Sequence, residues 1–132
     1  MPTGNGVRAA ATITIPMTIP KGPMVIDTTA VTERSGTNKG FVFVDDSGAA
    51  PTVTNVQISG SNIVLTLSST PTGTQASQFV EYALKGHDNV APFNASEIAR
   101  GNIRDSETDT AVSDPTYIMR NWMVPCRSSV TV

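Results

Sequence analysis

The main pattern along the chain is an alternation of apolar and polar residues with a period of two. In ATITIPMTIP, residues 11–20, isoleucine or methionine occupies every second position from Ile13 to Ile19. Successive side chains of a strand point to opposite faces, so this pattern predicts a strand with one buried face. Pro16 and Pro20 lack the N–H that a sheet ladder needs, which predicts an edge or outer strand.

A β-hairpin is the clearest unit in the sequence. Within TVTNVQISGSNIVLTLSS, residues 52–69, Val56 and Ile58 alternate with polar neighbours, and Ile63, Leu65 and Leu67 then share one face. Gly60-Ser61 stands between the two runs and supplies a two-residue turn. Two alternating runs separated by such a pair predict a hairpin.

Other segments are short, rich in β-branched or aromatic residues, and bounded by turn residues. They are residues 23–31, 40–48, 78–86, 116–125 and 128–132. Short segments with these properties are typical of β-strands. Within 40–48, the run FVFV is apolar on both faces, which predicts a central strand.

No sustained pattern of either period covers residues from about 86 to 116. Loops of that length inside a compact domain are uncommon and usually carry a function or are disordered. A short helical turn over Asn94–Arg100 is one expectation, since Asn94 or Ser96 can cap it.

The predicted fold is all-β: an antiparallel, jelly-roll-like β-sandwich of about eight strands, with the long loop crossing one end. A chain of 132 residues is the size of one domain. Residues 24–132 are predicted to form the sandwich. Residues 1–23 are predicted to be an N-terminal linker or an edge strand.

Composition and charge exclude several partner classes. Charged residues make up 15% of the chain, well below the usual level of about 25%, and the net charge is -2 with no basic cluster. A nucleic acid or an anionic membrane surface would require a positive patch, so neither is an expected partner. The sequence also shows no apolar run of about 20 residues and no signal-peptide pattern at its start.

The sequence contains few residues that are suited to catalysis. The single cysteine, Cys126, excludes an internal disulfide and a cysteine-built zinc site. A serine hydrolase needs a base, and only His87 offers one, without any recognisable nucleophile motif. No spacing singles out a pair of carboxylates for glycoside hydrolysis. We therefore expect a chain that is not an enzyme and that needs no cofactor.

The block ARGNIRDSETDT, residues 99–110, differs from its Thr-rich surroundings. Arg100 and Arg104 can form forked, charge-assisted bonds, with Asp105 and Glu107 as the nearest candidate partners. A loop with few apolar residues is not held by burial, so these bonds can tie it to the sheets. Direct contact of the same residues with a ligand is the alternative.

Alternate carboxylates in DSETD, residues 105–109, resemble the spacing of calcium loops. An EF-hand requires Gly at the sixth position and Glu at the twelfth, where this chain has Thr110 and Thr116. The segment therefore does not match the EF-hand motif, and no metal site is predicted. An irregular calcium site near Asp105–Asp109 is kept as an alternative.

Aromatic residues are scarce. Trp122 is the only tryptophan, and Tyr117 precedes it by five residues. Aromatic rings stack on the apolar faces of sugars, so both residues are candidates for carbohydrate contact. The alternative is that Trp122 and Tyr82 are anchors in the core or at an interface between domains.

The order of these segments resembles a known group of domains. The segments are VIDTT, GFVFVDDSG, VQISGSNIVLTL, VEYAL, ARGNIRDSE and NWMVP. They are similar to the C-terminal accessory domain of certain bacteriophage tailspikes and SGNH-type carbohydrate esterases, with a weaker likeness to the β-sandwich of sialate acetylesterases. The likeness covers the chain from about Met24 onward, and its most specific pieces are Arg100–Ser106 and Asn121-Trp122.

This resemblance implies an appended, non-catalytic module, because the esterase's serine and Asp-x-x-His blocks are absent here. In phage tailspikes such domains lie at the distal end of a trimer. The first hypothesis is a tailspike or tail-fibre module on the virion tail that binds host cell-surface carbohydrate. The second is a structural domain for trimerisation or capping. The candidate binding residues are Trp122, Tyr117, Arg100, Arg104, Asp105 and Glu107.

Overall fold

The computed structural model describes residues 1–29, 38–84 and 101–132, without the side chain of Tyr117. The described residues contain eleven strands: β1 Gly6–Ala9, β2 Thr12–Pro16, β3 Met24–Ile26, β4 Phe41–Val44, β5 Val53–Ser59, β6 Asn62–Leu67, β7 Phe79–Tyr82, β8 Ile103–Asp105, β9 Thr110–Ala111, β10 Asp114–Ile118 and β11 Cys126–Thr131. A single 3-10 turn, Gln75–Ser77, is the helical content of this part of the chain. The predicted all-β class is confirmed.

Seven strands form the main sheet, in the order β4-β7-β11-β1-β2-β6-β5. Every neighbouring pair is antiparallel except β1 and β11, where Gly6 lies opposite Val130 in a parallel pair. The sheet is therefore antiparallel, as predicted, with this one parallel pair as the exception among the described strands. Alternation within a strand predicts which face of the strand is buried, but it does not predict whether the neighbouring strand runs parallel or antiparallel to it.

The first strands lie inside the sheet. β2 pairs with β1 on one side and with β6 on the other, so the prediction of a linker or edge strand is wrong for residues 6–16. Pro16 is tolerated because it is the last residue of β2. Its carbonyl still accepts a hydrogen bond from the N–H of Thr3 at 3.0 Å.

The predicted hairpin is confirmed as β5 and β6, with Gly60 at φ +59° in the turn. The prediction for β4 is wrong in one respect, because β4 lies at the edge of the main sheet among the described residues. Phe41 and Phe43 are buried, whereas Val42 and Val44 are only half-buried. A strand with apolar side chains on both faces of the sheet therefore does not need a hydrogen-bonded neighbour strand along each of its edges.

The predicted loop 86–116 contains strands in its described part. β8, β9 and the start of β10 fall within residues 101–116, so the expectation of one long loop is wrong there. Ile103 supplies a buried position, 1% exposed, that a three-residue strand is too short to signal by periodicity. The helical turn expected over Asn94–Arg100 and the histidine His87 lie outside the described residues.

A smaller layer packs against the main sheet. β3 pairs with β8, and the segment 121–123 runs antiparallel along the other side of β8. Its hydrogen bonds join Asp105 N–H to the Asn121 carbonyl at 3.1 Å and Met123 N–H to the Ile103 carbonyl at 2.9 Å. Met24 and Ile103 belong to the same buried core as the strands of the main sheet, so the arrangement is sandwich-like.

Tyr82 joins the two layers. Its side chain is 1% exposed, and its hydroxyl accepts a hydrogen bond from the Ile103 N–H at 2.9 Å. Gly101 makes this approach possible, because a Cβ at that position would lie 2.0 Å from the tyrosine ring. Burial raises the pKa of Tyr82 to about 12, although the bond from Ile103 acts in the opposite direction.

No helix in the described ranges has the length and apolar character needed to cross a membrane.

We expect Gly101→Ala to lower the free energy of unfolding by about 1–3 kcal/mol or more, because the added methyl group overlaps the Tyr82 ring. Urea unfolding followed by circular dichroism measures the change. Gly4→Ala is the matched control, since its nearest neighbour would be a Pro16 carbon at 4.0 Å. Equal unfolding midpoints for both variants would contradict the close approach of Gly101 and Tyr82.

Tyr82→Phe leaves the buried N–H of Ile103 without its acceptor. The expected loss at neutral pH is about 1–3 kcal/mol of unfolding free energy. The unfolded phenol ionises near pH 10 whereas the folded one ionises near 12, so the wild type loses stability as pH rises through this range. The gap between wild type and variant should therefore narrow from pH 10 to 12. A gap that stays constant over this range would be inconsistent with a buried, neutral phenol.

Candidate functional site

The described part of the Arg100–Ser106 block fastens β8 to its neighbours. Asn102 is 2% exposed, and its amide donates to the Asp27 carbonyl at 2.9 Å. The carbonyl of Asn102 accepts a hydrogen bond from the Asp27 N–H at 2.7 Å. Since Ile103 is bound to Tyr82, two consecutive residues of the block hold β8 in place.

Arg104 is a structural tie, as one reading of the sequence predicted. Its Nε donates to Oδ2 of Asp27 at 2.6 Å, and its Nη1 donates to the Asp105 carbonyl at 2.7 Å. The acidic partner is therefore Asp27, the residue that follows β3, and the predicted pairing of Arg104 with the carboxylate of Asp105 or Glu107 is wrong. The pairing predicted for Arg100 lies outside the described residues. The pairing of β3 with β8 places Val25 opposite Arg104 and so brings Asp27 within reach.

Asp105 is also committed to the fold. The side chain is 3% exposed, and its two oxygens accept hydrogen bonds from the Glu107 N–H at 3.1 Å and the Asn121 amide at 3.0 Å. Burial by itself would raise the pKa of the Asp105 carboxyl, but these hydrogen bonds outweigh burial and lower it. The carboxylate therefore holds the segment 121–123 against β8.

Glu107 and Asp109 bind Lys21. The Lys21 Nζ lies 2.9 Å from Glu107 Oε1 and 2.5 Å from Asp109 Oδ2. These hydrogen bonds raise the pKa of Lys21 and lower that of Asp109. The carboxylates that suggested a calcium loop thus have a lysine and backbone N–H groups as partners. Within the described ranges, no three metal-binding side chains are close enough to hold an ion.

A groove of about 510 Å³ opens between the segment that follows β2, strand β8, and residues 120–124. Its wall is mostly apolar, and the contributing side chains include Met17, Ile19, Met24, Ile103, Met123 and Val124. Arg104, Asp105, Arg120 and Asn121 supply the polar part of the wall. Trp122 lines the groove and is half-buried.

The structure brings together three of the six predicted site residues. Trp122, Arg104 and Asp105 line the groove, whereas Glu107 lies outside its wall. Arg100 and the side chain of Tyr117 lie outside the described residues.

Sequence reasoning missed Arg120 and Asn121, which also line the groove. Their position just before Trp122 was the available signal. Asn121 was noted only as part of the Asn-Trp pair, and nothing in the sequence separated Arg120 from the other arginines.

The groove can bind a ligand in three ways. Its methionine and aliphatic side chains offer apolar contact, the Trp122 ring offers stacking, and the Arg120 guanidinium offers charged hydrogen bonds. Among the described residues, Arg120 has no hydrogen bond or ion pair. The Arg104 and Asp105 side chains, by contrast, already have partners within the protein.

Asp105→Asn should lower the free energy of unfolding by about 1–3 kcal/mol at pH 7. The reason is that an amide has one acceptor oxygen, whereas the carboxylate uses both of its oxygens to accept hydrogen bonds. The folded pKa of Asp105 lies below its ordinary value of 3.8, so its stabilisation is present above that pH and is lost as pH falls through the folded pKa. Chemical unfolding at several pH values tests this. The two proteins should converge in strong acid, and an equal gap at pH 7 and pH 2 would argue against a stabilising carboxylate. Asp114→Asn is the control, because this exposed carboxylate accepts hydrogen bonds from Thr116 alone among the described residues.

Comparison of the chain with protein-family models, with curated proteins and with solved structures gives no significant match. The likeness to tailspike accessory domains therefore stays a prediction from the sequence, and the geometry of the groove is what supports a function.

Proposed function

We propose that this chain is a non-catalytic β-sandwich module that binds cell-surface carbohydrate in the groove beside Trp122. The observation that carries the proposal is the position of the only tryptophan of the chain, half-buried in the wall of an open groove. A tryptophan that served the core alone would leave no ring surface for a ligand.

The physical properties of the groove suit a sugar. Its volume, about 510 Å³, lies within the usual range of small-ligand sites. The apolar C–H face of a pyranose ring can stack on the indole of Trp122, while its hydroxyl groups need hydrogen-bonding partners at the rim. Arg120 supplies donors there.

The wider setting of the proposal comes from the sequence resemblance. We place the module at the C-terminus of a phage tailspike or tail fibre, on the virion tail, where a homotrimer would present three grooves to a host surface. The Gly101–Ser106 residues that carry the likeness fix β8 and the segment 121–123, which form one side of the groove. If tailspike accessory domains contain the same block, it would support the same arrangement of strands in them as in this chain.

A structural role in trimerisation or capping is the second candidate. Exposed apolar side chains in the closing part of the chain favour it. Ile118, Met119 and Val124 are 37%, 46% and 57% exposed, respectively. Such side chains can pack against another copy or another domain.

Trp122→Ala should reduce the retention of the bound glycan by about tenfold or more, because it removes the stacking surface. A glycan array, followed by titration of the retained glycan, measures the change. Trp122→Phe keeps a ring and should retain part of the affinity. Phe79→Ala, which removes a half-buried aromatic side chain outside the groove, should leave binding unchanged.

The mass of the protein in solution, measured on the samples used for the glycan array, distinguishes the carbohydrate-binding module from the structural domain. Retention of one polysaccharide class only while Trp122 is intact supports the binding module. A stable trimer that retains no glycan would favour the structural role instead.

A further inference from the structure

We infer that the groove selects acidic saccharides and that Arg120 binds the sugar carboxylate. This inference rests on the proposed carbohydrate-binding function and adds the chemical class of its ligand. The juxtaposition that carries it is a guanidinium that has no partner among the described residues, in the same groove as a half-buried tryptophan.

Arg120 differs from every other arginine that the structure describes. Arg8 donates to the Gln78 side chain at 3.0 Å and to the Ala10 carbonyl at 3.1 Å. Arg104 is bound to Asp27, and the guanidinium of Arg127 lies 3.9 Å from the centre of the Phe79 ring.

No contact of this kind is found for Arg120 among the described residues, although its side chain is half-buried. A partly desolvated guanidinium with unused donors gains more from a ligand anion than an exposed one does.

The chemistry of the guanidinium favours a carboxylate. Its planar fork can donate two parallel hydrogen bonds to the two oxygens of a carboxylate, and such charge-assisted bonds are about twice as strong as hydrogen bonds between neutral groups. A sugar hydroxyl has one oxygen and no negative charge, so it can neither accept the two parallel bonds nor form an ion pair. A uronic acid or another carboxylated sugar therefore uses Arg120 better than a neutral sugar does.

The acidic side chains near the groove do not compete for Arg120. Asp105 is 3% exposed, and both of its oxygens accept hydrogen bonds from Glu107 and Asn121. Asp27 is 7% exposed and pairs with Arg104. Both carboxylates thus have donors of their own, and within the described ranges no acid pairs with the Arg120 guanidinium, which can bind an anion that enters from solvent.

The spacing of Arg120 and Trp122 fits one sugar residue. Two residues along a chain are at most about 7 Å apart at their Cα atoms, even when fully extended. A pyranose that stacks on the indole of Trp122 can therefore place its ring carboxylate at Arg120. Asn121 lies between them, and its amide is held by Asp105, which fixes the backbone that carries both side chains.

The experiment uses an array of carboxylated oligosaccharides, each printed beside its methyl ester and its neutral parent sugar. The methyl ester keeps the ring and removes the charge, so the ratio of acid to ester binding isolates the carboxylate. Sulfated oligosaccharides of similar charge density form a further arm. Fluorescence of Trp122, the only tryptophan, then gives the affinities of the retained pairs in solution.

For the wild type we expect the acid to bind about tenfold or more tightly than its ester. Arg120→Gln should bring this ratio close to one, because it weakens binding of the acid far more than binding of the ester. Arg127→Gln is the matched control, because it removes a guanidinium outside the groove and should preserve the ratio.

The other outcomes separate this inference from the proposed function. If neutral sugars and esters bind as well as acids, or if Arg120→Gln keeps the preference, the inference is wrong while carbohydrate binding stands. Equal or tighter binding of sulfated sugars would overturn the assignment to carboxylates. Retention of no glycan at all would overturn both the inference and the proposed function.

Discussion

The hydrogen bond from the Ile103 N–H to the Tyr82 hydroxyl, made in the space that Gly101 leaves, is the contact on which the rest of the structure depends. A β-sandwich requires its two layers to meet face to face, and here a side chain of the main sheet reaches the backbone of the smaller layer. This contact fixes β8. Because β3 and the segment 121–123 both pair with β8, it also fixes one side of the groove.

The side chains that line the groove divide into those that bind other residues of the fold and those that can contact a ligand. Arg104 binds Asp27 and Asp105 binds Asn121, and these bonds orient the wall of the groove. Trp122 and Arg120 keep the surface and the donors that a ligand can use. A site that is held by such supporting bonds loses little further conformational freedom when a ligand binds.

Parts of this arrangement follow from the sequence in physical terms. Alternation predicted β2 and the hairpin of β5 and β6, and the composition predicted an all-β fold. The order of the strands was not predictable in the same way. The pattern identified the buried face of β2 but not its two neighbours, and it could not show that β1 lies parallel to β11. Strand neighbours depend on contacts between residues far apart in the chain.

What the sequence by itself determined is the local preference of each segment: extended backbone, one buried face, turns at glycine, and an arginine-rich block suited to fastening. What only the tertiary structure decided is which charged groups are used. Arg104 and Arg120 are chemically identical, yet Asp27 lies beside the first and no described acid pairs with the second. The distinction arises from the pairing of β3 with β8, because an ion pair requires its two groups within about 4 Å, and here the fold brings Asp27 to Arg104 from far along the chain.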